Sequence, residues 1–151
     1  MRQPTVAAIM TRRVVTVSMD DSLRRVRDIF DSERFHHLLV VEAGRVVGVL
    51  SDRDLLKHLS PFVGKINERQ QDVGTLDRRV HQVMSRPLVS GTADMTLGEA
   101  GGLMLARGVS CLPILGEAGR CQGIVTLRDL LRWALVESGT TDPVCPLPDA
   151  A

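Results

Sequence analysis

Tyrosine is absent from this chain of 151 residues, tryptophan occurs once and phenylalanine three times. A base-stacking platform for single-stranded nucleic acid needs more aromatic rings than that. An excess of either charge is also missing, since 19 basic residues stand against 18 acidic ones for a net charge of +1. The pairs Arg12–Arg13, Arg24–Arg25 and Arg78–Arg79 are too scattered to make the basic footprint of a nucleic-acid binder. No apolar run approaches the ~18 residues that cross a bilayer. Met1–Met10 carries neither the apolar stretch nor the cleavage site of a secretory signal. The expected location is cytoplasmic, with no membrane and no nucleic acid among the partners. The three cysteines, Cys111, Cys121 and Cys145, are odd in number and have no paired spacing. That argues against a disulfide framework or a zinc ribbon. A Gly-rich P-loop and a nucleophile–base pair are lacking too, so an enzyme is not expected.

What the chain does contain is a repeat. Met10 falls on Met84, Arg12 on Arg86, Val15 on Val89 and Leu23 on Leu97, each 74 positions on. Past the turn Gly116-Glu117-Ala118-Gly119-Arg120, one residue longer than its counterpart, the spacing is 75. Gly48 then matches Gly123, and Ser51-Asp52-Arg53-Asp54-Leu55-Leu56 matches Thr126-Leu127-Arg128-Asp129-Leu130-Leu131. One insertion placed in a turn is what duplication tolerates.

Each copy reads as β-α-β-β-α behind a short leading helix. Thr5 is expected to cap a helix carrying Val6, Ile9 and Met10, and Thr75 one carrying Leu76, Val80, Val83 and Met84. Val14–Val17 and Leu88–Ser90 read as short strands. Ser22 and Thr96 open the next helices, the latter with the capping box Thr96…Glu99. Two hairpins follow, His37–Val41 to Val46–Leu50 and Cys111–Leu115 to Cys121–Val125. In the second, Leu115 is expected opposite Cys121 and Cys111 opposite Val125. That register holds the two thiols roughly 13 Å apart, beyond disulfide reach. Closing helices span Asp52–Leu59 and Leu127–Val136. The expected organisation is a first motif at 1–59, a polar connector at 60–74, a second motif at 75–136 and a flexible tail at 137–151. The fold class is α/β (α+β). Neither half can bury its apolar faces alone, so two pseudo-twofold-related motifs packed through their small sheets are expected.

The candidate chemistry lies where the second hairpin strand meets the last helix, at Ser51 with Asp54 and Thr126 with Asp129. A hydroxyl residue three positions before an acid is a helix cap, and capping alone accounts for either copy. Another role is also open. Free N–H groups at a helix start suit a phosphate, and a carboxylate suits two vicinal ribose hydroxyls. Gly48 and Gly123 would let a ligand approach the strand closely. Adjacent histidines on a strand face opposite ways, so His36 and His37 are not expected to chelate a metal.

These residues together resemble the CBS-domain family over roughly Val6–Leu59 and Val80–Leu135. The markers are Ile9-Met10-Thr11 and Val83-Met84-Ser85, Ser22-Leu23 and Thr96-Leu97, Leu112-Pro113-Ile114, and the two Gly-x-x-Ser/Thr-x-x-Asp elements. The resemblance implies a regulatory module that senses an adenine nucleotide (AMP, ADP or ATP, less often S-adenosylmethionine) in clefts between two motifs. It also implies that Ser51 and Thr126 meet phosphate or ribose, and that Asp54 and Asp129 hold the ribose hydroxyls. Val15–Thr16 with Leu38–Leu39, and Val89–Ser90 with Leu112–Pro113, would line the adenine partly through backbone groups. A homodimer of such pairs is implied, and a sensor also needs an effector protein to inform. The competing function is a ligand-free dimerisation scaffold with degenerate clefts.

Overall fold

The computed structural model describes residues 3–139. Its strands are β1 (Thr16–Ser18), β2 (His37–Glu42), β3 (Arg45–Ser51), β4 (Cys111–Leu115) and β5 (Cys121–Thr126). Its helices are α1 (Leu23–Ser32), α2 (Asp52–His58), α3 (Gln70–Gly74), α4 (Leu97–Arg107) and α5 (Leu127–Glu137). The chain divides into two compact units, Val15–Leu88 and the described part of Met1–Val14 with Val89–Ala151. The mixed α+β class with small sheets is the one expected. Of the expected tail, residues 140–151 with Cys145 lie outside the described residues.

In the 15–88 unit, β1 runs parallel to β2, and β2 antiparallel to β3. The run Leu38-Leu39-Val40 is fully buried, as it must be where both faces of a strand are covered. Ala43 and Gly44 both hold positive φ, 49° and 78°, which fits the tight hairpin turn between β2 and β3. Ser22 caps α1 by accepting the Arg25 N–H, and the helix buries Leu23 and Val26. Those two join Val17, Leu38, Leu50, Leu55 and Val80 in one core.

The other unit has the hairpin β4–β5 beneath α4 and α5. Its core gathers Val6, Leu97, Ala100, Met104, Leu112, Ile114 and Val125. The strand expected at Leu88–Ser90 does not form, and a single parallel bridge, Gly91 to Ile114, stands in its place. The cause is Pro113. In the first repeat Leu39 N–H donates to the Val15 carbonyl at 3.4 Å. Pro113 holds the position of Leu39 and has no N–H to give. A bulge between Ile114 and Leu115 also shifts the hairpin register. Leu115 still faces Cys121 as expected, but Cys111 faces Thr126 rather than Val125.

The units cut across the repeats. Residues 3–14 lead the first repeat in sequence but pack on the second. Val6 N–H donates to the Met95 carbonyl, Ala7 to Ala93, Leu97 to Pro4, and Thr11 pairs both ways with Ile124. The segment ahead of the second repeat does the same to the first. Val80 donates to Asp21, His81 to Met19, Leu23 to Arg78 and Ser85 to Val49. Four bonds of one set have their counterparts in the other at the repeat spacing, so the exchange is reciprocal. The leading helices are short 3-10 turns, Val6–Ala8 and Val80–Gln82. Thr5 makes no side-chain cap, and Thr75 sits in a separate turn, Thr75–Asp77.

The connector is largely exposed, as a solvated link would be, but it is tied together at its ends. Asp72 is buried, its carboxylate accepting from Ser60 Oγ at 2.6 Å and from Arg69 N–H at 2.8 Å. Thr75 Oγ1 donates to the Asp72 carbonyl at 2.6 Å and accepts Ser60 N–H at 3.1 Å. These bonds close the segment's two ends on each other, as in a compact Ω-loop. The Ser60 hydroxyl, then the Arg69 N–H, hold the Asp72 carboxyl below the usual carboxylate range, against the opposing effect of burial.

Candidate functional site

Ser51 ends β3 and is the N-cap of α2, and Thr126 ends β5 and is the N-cap of α5. Asp54 Oδ2 accepts from Ser51 N–H and Ser51 Oγ, both at 2.9 Å, while Asp54 N–H donates back to Ser51 Oγ at 3.1 Å. Asp129 Oδ2 accepts from Thr126 N–H and Oγ1 at 2.8 Å, with the return bond at 3.2 Å. Each hydroxyl–carboxylate couple is therefore a closed capping box. Thr96 and Glu99 at the start of α4 make the same three bonds at 2.8, 2.8 and 3.2 Å. A closed box is thus a capping device first, and geometry alone does not set the two couples apart.

What separates them is their surroundings. Both couples lie half-buried at a strand-to-helix junction, each with one carboxylate oxygen left over. Asp129 Oδ1 has Arg132 Nη1 at 3.8 Å. Asp54 Oδ1 has no salt bridge among the described residues. Glu99 is exposed, and its carboxyl is held below the usual range by the Thr96 N–H and then the Thr96 hydroxyl.

The residues expected along the adenine fall beside these couples within each unit. Thr16 pairs with Leu39, Leu39 with Val49, and His37 with Ser51, so Thr16, Leu39 and Ser51 belong to one sheet, and Val15 adjoins it through the Leu39 N–H. In the other unit Gly91 N–H donates to the Pro113 carbonyl at 2.9 Å, which brings Val89 and Ser90 alongside β4. The Val89 carbonyl lacks the donor that its counterpart Val15 has, because Pro113 cannot supply it. Leu38 and Leu112 belong to their own cores, and like Leu39 they are at zero exposure, backbone and side chain alike.

Gly48 and Gly123 do not open the strand to a ligand as expected. A Cβ on Gly48 would lie 2.7 Å from Met84 Sδ, and one on Gly123 would lie 2.7 Å from the Thr11 carbonyl and 2.9 Å from Met10 Sδ. The space in front of each glycine is filled by the exchanged leading segment. Met10 and Met84 are accordingly buried.

The histidines are engaged singly. His58 Nδ1 accepts from Arg78 Nη1 at 3.0 Å, His81 Nδ1 donates to the Met19 carbonyl at 3.1 Å, and His36 Nδ1 lies 2.7 Å from Asp52 Oδ2. Among the described residues no group of three or more His, Cys, Asp or Glu could hold a metal ion. The His36–Asp52 pair had no sign in the residue pattern, since its members are 16 positions apart. Cys111 is buried and Cys121 half-buried, neither in a disulfide, and burial raises the Cys121 thiol above its usual range. Arg53 and Arg128 are exposed. A cavity of about 430 Å³ in the connector, lined by Phe62, Asn67, Glu68, Arg69, Gln71 and Asp72, shares no residue with either couple. Among the described residues no helix is long and apolar enough to cross a membrane.

Comparison with known proteins agrees with this duplicated geometry. The family model for the CBS domain matches residues 6–61 and 80–136. A CBS domain-containing protein of Dictyostelium discoideum is 32% identical over 128 residues, covering 83% of this chain and 88% of that one. Other relatives are longer, and the chain spans 43% of one from Methanocaldococcus jannaschii at 30% identity. Among solved structures, the CBS domain pair of protein MJ0100, in complex with 5-methylthioadenosine and S-adenosyl-L-methionine, shares the fold. Its TM-score is 0.74 at 19% identity, covering 93% of this chain and all of that one. The cytosolic domain of the Mg2+ channel MgtE, in complex with ATP, gives 0.66 at 27% identity, covering 85% of this chain and 48% of that one. With both repeats matched by the model, the chain belongs to the CBS domain family.

Proposed function

We propose that this chain is a regulatory, non-catalytic module that binds an adenine nucleotide, AMP, ADP or ATP, at Ser51–Asp54 and Thr126–Asp129. The carrying observation is the pairing of a half-buried hydroxyl–carboxylate couple with an adjoining strand backbone, repeated in both units. The leftover Oδ1 of Asp54 or Asp129 suits a ribose hydroxyl, and the hydroxyl of Ser51 or Thr126 can turn to a ribose or phosphate oxygen. Val15–Thr16 with Leu38–Leu39, and Val89–Ser90 with Leu112–Pro113, would meet the adenine. The Val89 carbonyl is then an acceptor for the exocyclic amine. The MgtE domain and the MJ0100 pair lend support, since both were solved with compounds built on adenosine. S-adenosylmethionine is the second ligand reading, favoured by the MJ0100 complex.

We further read the protein as a cytosolic homodimer that reports to an effector protein. Leu105 on α4 and Leu131 on α5 are 77% and 60% exposed, and helix faces of that kind are what a second copy covers. A thermal-shift panel of AMP, ADP, ATP, adenosine and S-adenosylmethionine tests the ligand. At least one adenine nucleotide should raise the melting point. If all five leave it unmoved at millimolar concentration, the scaffold reading replaces this one.

A further inference from the structure

α1 and α4 are the same helix in the two repeats, Leu23 matching Leu97 at the spacing of 74, yet their outer faces differ. On α1 that face carries Arg24, Asp28, Asp31 and Ser32, all exposed. The matching positions on α4 are Gly98, Gly102, Leu105 and Ala106, also exposed, with Leu105 at 77%. Spacings of 4, 7 and 8 residues put the four on one side of a helix. The charges of α1 are used within their own unit, Arg24 reaching Asp77 at 3.5 Å and, beside it, Arg25 reaching Asp21 at 3.6 Å. A charged, solvated face thus has a bare apolar duplicate.

The helices of the second repeat also gather the exposed apolar groups. Leu127, Leu131 and Val136 on α5 join Leu105, whereas on α1 and α2 the exposed large apolar residue is Leu56. A methyl on Gly101 would come within 3.5 Å of Leu130 Cδ1, so packing on α5 explains that glycine. One on Gly98 or Gly102 would meet nothing within 4 Å. Exposed glycines weaken a helix relative to alanine, and no contact among the described residues calls for these two. What a bare backbone permits is the close approach of another helix.

The spacing selects the occupant. Gly98 and Ala106 stand four residues to either side of Gly102, and Glu99 and Leu105 three to either side. An antiparallel copy of α4, turned about a twofold axis at Gly102, therefore sets Gly98 beside the partner's Ala106 and Leu105 against the stem of the partner's Glu99. Such a patch is self-complementary, as an isologous contact requires. The partner's α1 fits worse in the same place. Arg24, Arg25 and Asp28 would be buried against Ala106, Leu105 and Gly102, which offer no counter-charge, and Asp31 would face Glu99. α1 paired with its own copy would press Asp28 on the partner's Asp28. We propose that two copies pair isologously, α4 on α4 about Gly102, so that second repeat meets second repeat. This inference rests on the homodimer reading above and specifies how that dimer is built.

The test uses the full chain with Cys121→Ser and Cys145→Ser as background, and adds Gly102→Cys or Asp28→Cys. A disulfide needs its Cα atoms within about 7 Å. Under mild oxidation Gly102→Cys should give a covalent dimer on a non-reducing gel. Asp28→Cys, its equivalent in the first repeat, should stay a single chain. Gly102→Ala supplies a second readout. It improves helix propensity, so an idle surface glycine would leave the dimer as firm as before. On the pairing proposed, the added methyls should raise the dissociation concentration about tenfold in light scattering. A wild-type dimer that cross-links through Asp28→Cys, or at neither position, overturns the α4 pairing while the homodimer reading stands. So does a Gly102→Ala dimer of unchanged strength, and that variant decides if Gly102→Cys fails to fold. A monomeric wild type at micromolar concentration removes both readings.

Discussion

The two candidate carboxylates already have work to do, and that sets how they must be tested. Asp54 and Asp129 each accept two hydrogen bonds from their cap residue on a single oxygen. Replacing either with Asn keeps the shape and loses the charge-assisted cap, a cost of a few tenths to about 1 kcal/mol of stability. The Thr96–Glu99 box supplies the internal control. Glu99→Gln should cost a similar amount in a urea titration and leave ligand affinity where it was. Asp54→Asn or Asp129→Asn should in addition weaken the ligand by about 1.5–3 kcal/mol, roughly ten- to a hundredfold. The capping role was legible in the spacing of hydroxyl and acid, since a box is a local, one-turn device. The His36–Asp52 pair was not, because it arises only when β2 and β3 are brought into register.

At the scale of elements, the hairpins and capped helices follow from turn residues and apolar spacing, and they stand where the sequence puts them to within a residue or two. The misses have one physical cause, partners distant along the chain. The connector looks solvated by composition, yet Asp72 closes it through Ser60 and Arg69. Since the Asp72 carboxyl titrates lower in the folded chain than in the unfolded one, the folded state binds fewer protons. Its contribution is complete above the ordinary carboxylate range and is lost as pH falls through the folded value. Urea midpoints measured between about pH 6 and pH 3 should therefore fall less steeply for Asp72→Asn than for the wild type. The glycines offer a second test. A methyl on Gly123 meets the Thr11 carbonyl, which is backbone and cannot swing away, whereas one on Gly48 meets the end of the flexible Met84. Gly123→Ala should cost about 1–3 kcal/mol and Gly48→Ala less, as read from denaturation midpoints.

For the molecule as a whole, the duplication was readable and the exchange was not. Met10 and Met84 are the same residue at equivalent positions, and so are Gly48 and Gly123. Either methionine fits either glycine, so residue identity cannot say which repeat each leading segment joins. The missing strand was in principle readable, because Pro113 lacks the donor that Leu39 uses toward Val15. Dimer formation belongs to this scale as well. Leu131→Asp should shift the light-scattering mass from dimer toward monomer at micromolar concentration while keeping the circular dichroism of the wild type. The central claim, that a duplicated cap has become a nucleotide site, rests most directly on calorimetric titration of ATP and AMP. The proteins to compare are the wild type, Asp54→Asn, Asp129→Asn and the double variant. The account predicts saturable binding in the wild type, weakening in at least one single variant and near-complete loss in the double variant. Undiminished binding in the double variant would contradict it.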